Sequence, residues 1–340
     1  MKRIGILGAG TWGMALARML TVSGNDVLVW SAIEKEIDSL STTRKHPNLP
    51  QMKIPDELRF TKSIEEVCKD KDILLFAVPS VFVRSTAAKA RPYVADGQII
   101  VDVAKGIEPD TLYTMTEILA DELGKEGGPK GVRLVALSGP THAEEVAIDL
   151  PTTIVSASKD MEAAAFVQEV FTNNVMRVYT NEDIKGVELS GAMKNVIALG
   201  VGISTGLGYG DNARAASSPA ASRDRPSGRG DGLQCPYFRR SGRYRRLIVT
   251  ATSMHSRNNR AGILIGKGET PENAVKEVGM VVEGMNALPA ALELAERYQV
   301  EMPIVQTVNA IVNKGMSAAE AVKSLMERGL KNELPQGYEK

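Results

Sequence analysis

The stretch RIGILGAGTWGMALARML, residues 3–20, decides the fold of this 340-residue chain. A short apolar run leads into the glycine motif GAGTWG and then into a series of helix formers. This is the strand, turn and helix order that a dinucleotide-binding GxGxxG motif requires. Gly8 permits the tight turn, Gly10 lets a pyrophosphate approach the backbone, and Gly13 lets the helix pack on the strand. We therefore predict a dinucleotide site at the start of the chain.

The residues after the second predicted strand, 26–30, bear on which nicotinamide cofactor binds. In this type of site an acidic residue at that place favours NAD by binding the ribose 2′-hydroxyl, and an arginine favours NADP. The chain has Ser-Ala-Ile at 31–33, with Glu34 and Lys35 only beyond. The preference between NADH and NADPH is therefore left open.

Further near-continuous apolar runs predict strands that are covered on both faces. The predicted strands are 72–78, 98–103, 133–137, 152–156 and a last piece near 177–179. Segments of helical spacing, such as 63–69 and 111–123, lie between several of them. This order predicts βα units and a parallel sheet with ligands beyond the carboxyl ends of its strands. Lys105 and Ser138-Gly139-Pro140 follow two of these strands. Lys105 is thus a candidate ligand contact, although an ordinary solvated lysine is the commoner case.

A second stretch, 189–210, holds one charged side chain, Lys194, among small and apolar residues. Its glycines let neighbouring backbone or a ligand approach closely, and its apolar residues are sufficient to bury a helix all round. A lysine in that setting is either paired with a carboxylate or has a lowered pKa suited to proton exchange at neutral pH. The alternative is that its ammonium reaches the surface from one helix edge. The residues of this stretch alone do not separate the two.

Composition argues against several classes of protein. The 41 basic and 41 acidic residues balance, so no nucleic-acid partner is expected. Cys68 and Cys235 are far apart, and three scattered histidines form no cluster, so neither a disulfide framework nor a metal site is expected. No apolar run reaches a membrane-spanning length, and the first residues do not form a signal peptide. We expect a soluble, cytoplasmic protein without a metal ion.

The second half of the chain is predicted to be mostly helical. Its predicted helices are 271–280, 287–297, 304–313 and 317–328. The predicted fold class is an α/β N-terminal Rossmann-like doubly wound sheet followed by a mostly α-helical C-terminal domain. We place a dinucleotide-binding domain at 1–186 and a helical substrate and catalytic domain at 187–335.

Seven motifs, in this order along the chain, resemble those of bacterial NAD(P)-dependent glycerol-3-phosphate dehydrogenase. They are GAGTWG at 8–13, VAKGIE at 103–108, LSGPTHAEEVA at 137–147, GAMKNVIALGVG at 191–202, GLGYGDNARAA at 206–216, SRNNRAG at 256–262 and VEGMNA at 282–287. The resemblance implies reversible hydride transfer between NAD(P)H and dihydroxyacetone phosphate to give sn-glycerol 3-phosphate, for phospholipid synthesis. The alternatives are a related lysine-dependent hydroxyacid dehydrogenase and a catalytically impaired dinucleotide-binding protein.

The resemblance also implies roles for individual residues, with Lys194 as the general acid and base. The implied substrate contacts are Lys105, Gly139, Thr141, Lys194, Ser256, Arg257 and Asn258. With the glycine motif, the expected cofactor contacts are Gly8, Gly10, Thr11, Trp12, Gly13, Lys105, Ala143, Arg257, Val281 and Glu283. Taken without the family, residues 255–260 are better interpreted as a solvated helix start, and the resemblance reverses that preference. The expected partner is a small phosphorylated substrate, and a homodimer is one assembly left open.

One segment, 217–246, differs from the rest. Eight of its thirty residues are arginine and none is lysine, and Pro, Gly and Ser replace the apolar periodicity. It is a disordered basic loop, an insertion, or the product of a slip in the coding frame. We favour the frame slip because the family resemblance resumes at Leu247 with nearly the right length. As printed, Arg246 stands where the family has an aspartate near the catalytic lysine.

Overall fold

The structure is a computed structural model that describes residues 1–139, 141–210 and 256–329. Pro140 and the segment 217–246, with Cys235 and Arg246, lie outside the described residues. The chain divides into two compact units. The first comprises Met1–Glu108 and Tyr113–Leu189, and the second comprises Pro109–Leu112 and the described residues from Ser190 onward. The domain boundary expected between residues 186 and 187 stays a prediction, because it concerns which parts of the chain fold independently.

The first unit is built on an eight-stranded sheet with strand order β3-β2-β1-β4-β5-β6-β7-β8. Its strands are β1 Arg3–Leu7, β2 Asp26–Trp30, β3 Arg59–Thr61, β4 Ile73–Phe76, β5 Ile99–Asp102, β6 Arg133–Ser138, β7 Thr152–Ala157 and β8 Met176–Asn181. The direction of winding reverses at β1, which lies between β2 and β4. Ligands of doubly wound sheets bind at this reversal, outside the carboxyl ends of the strands. The predicted fold class of the first half is confirmed.

One strand pair departs from the predicted parallel sheet, because β7 runs antiparallel to β6. A parallel neighbour needs a crossover that covers the full length of a strand, usually with a helix. The connection from β6 to β7 carries only a helix of four residues, Ala143–Val146. This helix is too short to carry the chain back to the edge where β6 begins. β7 therefore starts at the edge where β6 ends and runs in the opposite direction. β8 then pairs parallel with β7.

Helices cover both faces of this sheet, as its apolar strands predicted. The helices of the first unit are α1 Thr11–Val22, α2 Glu34–Thr43, α3 Ile64–Cys68, α4 Val83–Ala90, α5 Met115–Leu123, α6 Ala143–Val146 and α7 Met161–Phe171. Along β1, Ile4 and Ile6 belong to the cluster that includes α1, whereas Leu7 belongs to the one that includes α4 and α5. Alternate residues of one strand therefore enter two separate cores.

The helix expected over 111–123 begins later, at Met115. Thr114 caps it, and the Glu117 side chain accepts a hydrogen bond from the Thr114 backbone N–H at 2.9 Å, so the two form a capping box. Leu112, just before the cap, has a φ of +58°. A left-handed residue cannot continue a right-handed helix, so the apolar spacing overestimated its length.

The helical part begins with α8, Ile184–Gly206, which carries Lys194 as expected. The helices that follow are α9 Arg257–Gly266, α10 Pro271–Val278, α11 Glu283–Asn286, α12 Leu288–Arg297, α13 Pro303–Lys314 and α14 Ala318–Met326. α8 is covered on opposite faces, with Val196, Leu199 and Ile203 in one core and Ile197, Ala198 and Val201 in a separate buried cluster. Among the described residues, no helix is both long and apolar enough to cross a membrane.

Glycines bring α8 and α9 into backbone contact. A Cβ placed on any of Gly202, Gly206, Gly262 and Gly266 would lie 2.2 or 2.3 Å from a carbonyl oxygen of the facing helix. Such distances are far below van der Waals contact, so no other residue fits without moving the helices apart. The close approach predicted from the glycines of 189–210 is therefore confirmed for Gly202 and Gly206. The partner is backbone of the same unit.

Candidate active site

The glycine turn after β1 has the geometry that a dinucleotide needs. Gly8 has a φ of +124°, and a Cβ there would lie 2.6 Å from the Ala77 carbonyl oxygen. At Gly13 a Cβ would lie 2.2 Å from the Gly8 carbonyl oxygen. Both glycines are thus required by the protein's own packing. At Gly10, by contrast, no heavy atom of the described residues beyond its chain neighbours lies within 4 Å of the place that a Cβ would take, which leaves space for a ligand.

The helix that follows the turn presents its N-terminus without a side-chain cap. Gly10 is the N-cap of α1, and the first turn holds no acidic residue. The first backbone N–H groups of a helix have no partner within it, and they bind phosphate oxygens readily. The turn and the start of α1, including Thr11 and Trp12, therefore fit the pyrophosphate of a dinucleotide.

Lys105 forms the centre of a polar cluster in the first unit. It is half-buried and lies just after β5, and its Nζ donates a hydrogen bond to Thr141 Oγ1 at 2.8 Å. Thr141 Oγ1 in turn donates to the Gly139 carbonyl oxygen at 3.4 Å. The same Nζ lies 5.9 Å from the centre of the Trp12 ring, within cation–π range. Residues predicted to contact substrate and cofactor thus meet beyond the carboxyl ends of β5 and β6.

Two glycines allow these loops to lie close together. A Cβ on Gly106 would lie 2.4 Å from the Cβ of Ser80, at the end of β4. A Cβ on Gly139 would lie 2.9 Å from the Thr153 carbonyl oxygen. The structure therefore gives Gly139 a packing reason beside its predicted substrate contact. Ala143 is buried in the core with α1, so only its backbone is free to contact a cofactor.

The second group of predicted residues belongs to the second unit. Lys194 is half-buried on α8, an exposure that does not separate the catalytic interpretation from the surface one. The next residue, Asn195, is buried, and its Oδ1 accepts a hydrogen bond from Asn258 Nδ2 at 3.1 Å. Asn258 Oδ1 accepts from the backbone N–H of Gly284 at 2.8 Å. The Asn258 amide therefore links α9 to α8 and α11. Its contact on α8 is Asn195, the residue that follows Lys194.

The remaining predicted residues lie at the starts of α9 and α11. Ser256 is buried and caps α9, its Oγ accepting from the Asn259 backbone N–H at 3.4 Å. The helix-start interpretation of 256–258 is thus correct for the serine hydroxyl. Arg257 is exposed and is the first residue of α9. Val281 and Glu283 are half-buried at the start of α11.

The sequence analysis missed two polar residues of α8. Asn195 holds Asn258 in place, as described above. Glu188 is buried, and it accepts hydrogen bonds from Thr114 Oγ1 at 2.8 Å and from the Thr116 N–H at 2.8 Å. Burial raises the pKa of Glu188 to about 7, although these hydrogen bonds oppose the shift. A lone acid just before the apolar stretch was the available signal. Within 1–139, 141–210 and 256–329, no group of three His, Cys, Asp or Glu residues is placed to hold a metal ion.

The sequence of this chain matches two models of one protein family. The model of the NAD-dependent glycerol-3-phosphate dehydrogenase N-terminus matches residues 3–164. The model of the C-terminus of the same family matches residues 183–222 and 243–323. The gap in this second match falls inside the segment 217–246.

Individual relatives agree over nearly the whole length. The chain is 62% identical to glycerol-3-phosphate dehydrogenase NAD(P)+ 2 of Lactobacillus delbrueckii subsp. bulgaricus, covering 98% of this chain and 99% of the relative. It is 43% identical to glycerol-3-phosphate dehydrogenase NAD(P)+ of Bacillus subtilis, over 98% of this chain and 96% of the relative.

A solved structure agrees as well. The crystal structure of glycerol-3-phosphate dehydrogenase from Coxiella burnetii, 30% identical, superposes with a TM-score of 0.85 over 96% of this chain and 99% of that one. The resemblance predicted from the motifs is thereby confirmed. The chain therefore belongs to the NAD-dependent glycerol-3-phosphate dehydrogenase family.

Proposed function

We propose that this chain is an oxidoreductase that reversibly converts dihydroxyacetone phosphate to sn-glycerol 3-phosphate with NAD(P)H, for glycerophospholipid synthesis. Its membership of the family, with matches in both the N-terminal and the C-terminal part of the chain, carries the proposal. A phosphorylated ketone of this size needs cationic groups for its phosphate, a donor for its carbonyl oxygen and a dinucleotide nearby. The predicted residues supply each of these.

The first unit holds the cofactor in this proposal. The backbone of Gly8, Gly10 and Gly13 and the start of α1, with Thr11 and Trp12, would bind its pyrophosphate, as the space beside Gly10 supports. Bound NAD(P)H supplies the hydride that reduces C2 of the ketone. The hydride itself needs no side chain, so the protein has to orient the substrate, exclude water and deliver a proton.

Lys105 stabilises negative charge in the proposed site. Its ammonium is held by the 2.8 Å hydrogen bond to Thr141 and lies near the Trp12 ring. A cation that is already oriented stabilises a developing alkoxide without the cost of reorganisation. We assign Lys105 to substrate and cofactor contacts, with Thr141 and Gly139 beside it.

Lys194 moves the proton. It donates a proton to the carbonyl oxygen as the ketone is reduced and accepts it back in the reverse reaction. Its position supports this role, because the half-buried Lys194 lies next to buried residues such as Asn195 and Val196, which reduce the access of water. The hydrogen bond between Asn195 and Asn258 keeps the adjacent backbone in place.

The substrate phosphate is assigned to the start of α9. Arg257 presents a planar fork of donors that suits a phosphate, and it is exposed on the first residue of that helix. Ser256 and Asn258 flank it. The same helix end also favours an anion through its backbone N–H groups.

The mechanism is tested by replacing Lys194 with methionine, which is similar in length and cannot carry a proton. Turnover of dihydroxyacetone phosphate is expected to fall by roughly 10²- to 10⁴-fold, with NADH binding retained. The matched control is Lys185→Met, since Lys185 lies on the same helix and pairs with Glu117 at 2.7 Å. Turnover in this control should stay near the unchanged level. Full turnover by the Lys194 variant would refute the assignment.

The substrate is tested by comparing dihydroxyacetone phosphate with hydroxy acids and their keto acids. Turnover of the phosphorylated ketone supports the proposal, whereas turnover of the acids alone would assign the chain to the related hydroxyacid dehydrogenases. Cofactor binding without turnover of any substrate would indicate the impaired alternative.

The setting of the enzyme is part of the same proposal. We place it in the cytoplasm, as a homodimer, with a dinucleotide-binding domain at 1–186 and a catalytic domain at 187–335. The buried free thiol of Cys68 supports a reducing compartment. Cell fractionation tests the cytoplasmic location, and light scattering tests the homodimer. Expression of 1–186 alone tests whether the dinucleotide-binding domain folds independently.

A further inference from the structure

A carboxylate from the first turn of α2, that of Glu36, is hydrogen-bonded to the carboxyl end of β2. Ser31 follows β2 directly and is buried, and its Oγ donates a hydrogen bond to Glu36 Oε2 at 2.6 Å. The same Oγ accepts from the Ile33 backbone N–H at 3.1 Å. Glu36 belongs to the first turn of α2 and is exposed. The hydroxyl thus draws a helix carboxylate back to the strand end and leaves it accessible to solvent.

This carboxylate is close to the glycine turn. The Gly8 N–H donates to the Trp30 carbonyl oxygen at 2.8 Å, so the turn and the end of β2 are direct neighbours. His46 is buried near Ala9 of the turn, and its Nδ1 accepts a hydrogen bond from the Asn48 backbone N–H at 3.2 Å. Burial lowers the pKa of His46, and the nearby charge of Glu36 partly opposes that shift. The Glu36 carboxylate and the backbone of the glycine turn therefore both lie in the surroundings of His46.

Several basic residues of this region already have partners. Lys62 Nζ lies 2.7 Å from Asp38 and 3.6 Å from Glu34, both on α2. Arg44 donates to the Leu58 carbonyl oxygen at 2.7 Å, and also to that of Asp56. Residues 31–33, directly after the strand, are Ser, Ala and Ile and carry no charge. Lys35 is exposed and adjacent to Glu36 in the chain. It is therefore the basic residue to test for binding of a 2′-phosphate.

We propose that Glu36, held by Ser31, makes this enzyme prefer NADH to NADPH. In doubly wound folds the adenosine ribose lies at the carboxyl end of the second strand, where a carboxylate accepts a hydrogen bond from the ribose 2′-hydroxyl. NADPH replaces that hydroxyl with a phosphate of about two negative charges, which the carboxylate repels. This inference rests on the proposed function and narrows its cofactor to one of the two nicotinamides.

The preference should be visible both in binding and in turnover. We expect wild-type protein to bind NADH roughly 10- to 100-fold more tightly than NADPH. Glu36→Gln retains a hydrogen-bonding side chain of the same size and loses the charge. We expect this substitution to tighten NADPH binding roughly tenfold. It should also weaken NADH binding, but by a smaller factor. Ser31→Ala leaves the carboxylate untethered, so it should shift the ratio in the same direction by a smaller factor.

A merely structural role for Glu36 at the start of α2 would give a different result. It would lower thermal stability and weaken both cofactors equally, leaving their ratio unchanged. Glu34→Gln is the matched control, because Glu34 is an exposed acid of the same helix turn, and its ratio should stay as in the wild type.

The experiment measures dissociation constants for NADH and NADPH by quenching of tryptophan fluorescence, and then kcat/KM with dihydroxyacetone phosphate. A ratio in Glu36→Gln within about twofold of the wild-type ratio, or a wild-type preference for NADPH, would overturn the inference. Lys35→Met should leave NADPH binding unchanged, and a loss of about fivefold or more would assign the 2′ position to Lys35 instead. Binding that follows the expected ratio without turnover of dihydroxyacetone phosphate would support this inference and refute the proposed reaction.

Discussion

Replacing Glu188 with glutamine should remove a pH dependence of stability from the first unit. The carboxyl is only 6% exposed, and it accepts hydrogen bonds from Thr114 and Thr116. Burial raises its pKa to about 7, above the ordinary value of 4.5. Because the folded-state pKa is the higher one, the stabilisation is fully present below the ordinary value and is lost as pH rises through about 7.

The magnitude follows from the two pKa values. At about 1.36 kcal/mol for each pKa unit, the difference corresponds to about 3 kcal/mol of unfolding free energy, most of it lost between about pH 5 and about pH 8. Glutamine cannot ionise, but its carbonyl still accepts from the Thr116 N–H and its amide can donate to the threonine hydroxyls. Compared with the wild type, the variant should therefore gain about 3 kcal/mol over this pH interval.

Tryptophan fluorescence during urea unfolding measures this effect selectively. Trp12 and Trp30 are the two tryptophans of the chain, and both lie in the first unit with Glu188. The unfolding free energy is measured at about pH 5 and at about pH 8, the two ends of the interval. The control is Glu169→Gln, which changes an exposed acid on α7 of the same unit and should have the pH dependence of the wild type. If Glu188→Gln and the wild type change in parallel to within about 1 kcal/mol, the raised pKa is refuted.

Three further predictions concern packing, the site and the gene. Gly202→Ala should destabilise the chain by about 1–3 kcal/mol in thermal unfolding followed by circular dichroism, because the added methyl meets α9 backbone. Gly210→Ala should be neutral, because none of the described residues places an atom within 4 Å of the added methyl. Equal melting temperatures would contradict that. Thr141→Val removes the acceptor for Lys105 and should lower kcat/KM for dihydroxyacetone phosphate roughly tenfold, with recovery in Thr141→Ser. An unchanged value for the valine variant would show that the hydrogen bond is dispensable. Sequencing the gene across codons 210–250 should reveal single-base errors, and codons that give no family-like sequence in a shifted frame would exclude the frame slip.

Local patterns were sufficient for much of the fold. The glycine motif predicted its turn correctly, because Gly8 and Gly13 meet backbone only a few residues away or on the adjacent strand. The apolar runs predicted seven of the eight strands of the first unit within two residues at each end, whereas the three-residue β3, Arg59–Thr61, was not predicted. The direction of β7 was not predictable in this way, because a strand covered on both faces has a near-continuous apolar pattern whichever way it runs. The late start of α5 depended on the cap at Thr114, which the apolar spacing did not reveal.

The site was predicted by resemblance more than by pattern. Lys105 and Thr141 were each expected at the ligand edge, yet their 2.8 Å contact joins residues 36 positions apart. Asn195 and Glu188 had no sequence signal stronger than a polar residue in an apolar helix. Their roles are evident only from the partners that packing brings to them, Asn258 for one and two threonines for the other.

The sequence by itself determined the dinucleotide turn, the burial of α8 and the family of the chain. Each of these depends on which residues follow one another, since backbone conformation and apolar periodicity are local properties. Only the tertiary structure decided that Ser31 holds Glu36 beside the glycine turn and that the glycines of α8 face α9. Those contacts depend on the side-chain geometry of β2 and α2 and on the distance between two helix axes. Both are set by packing, which the order of residues along the chain does not specify position by position.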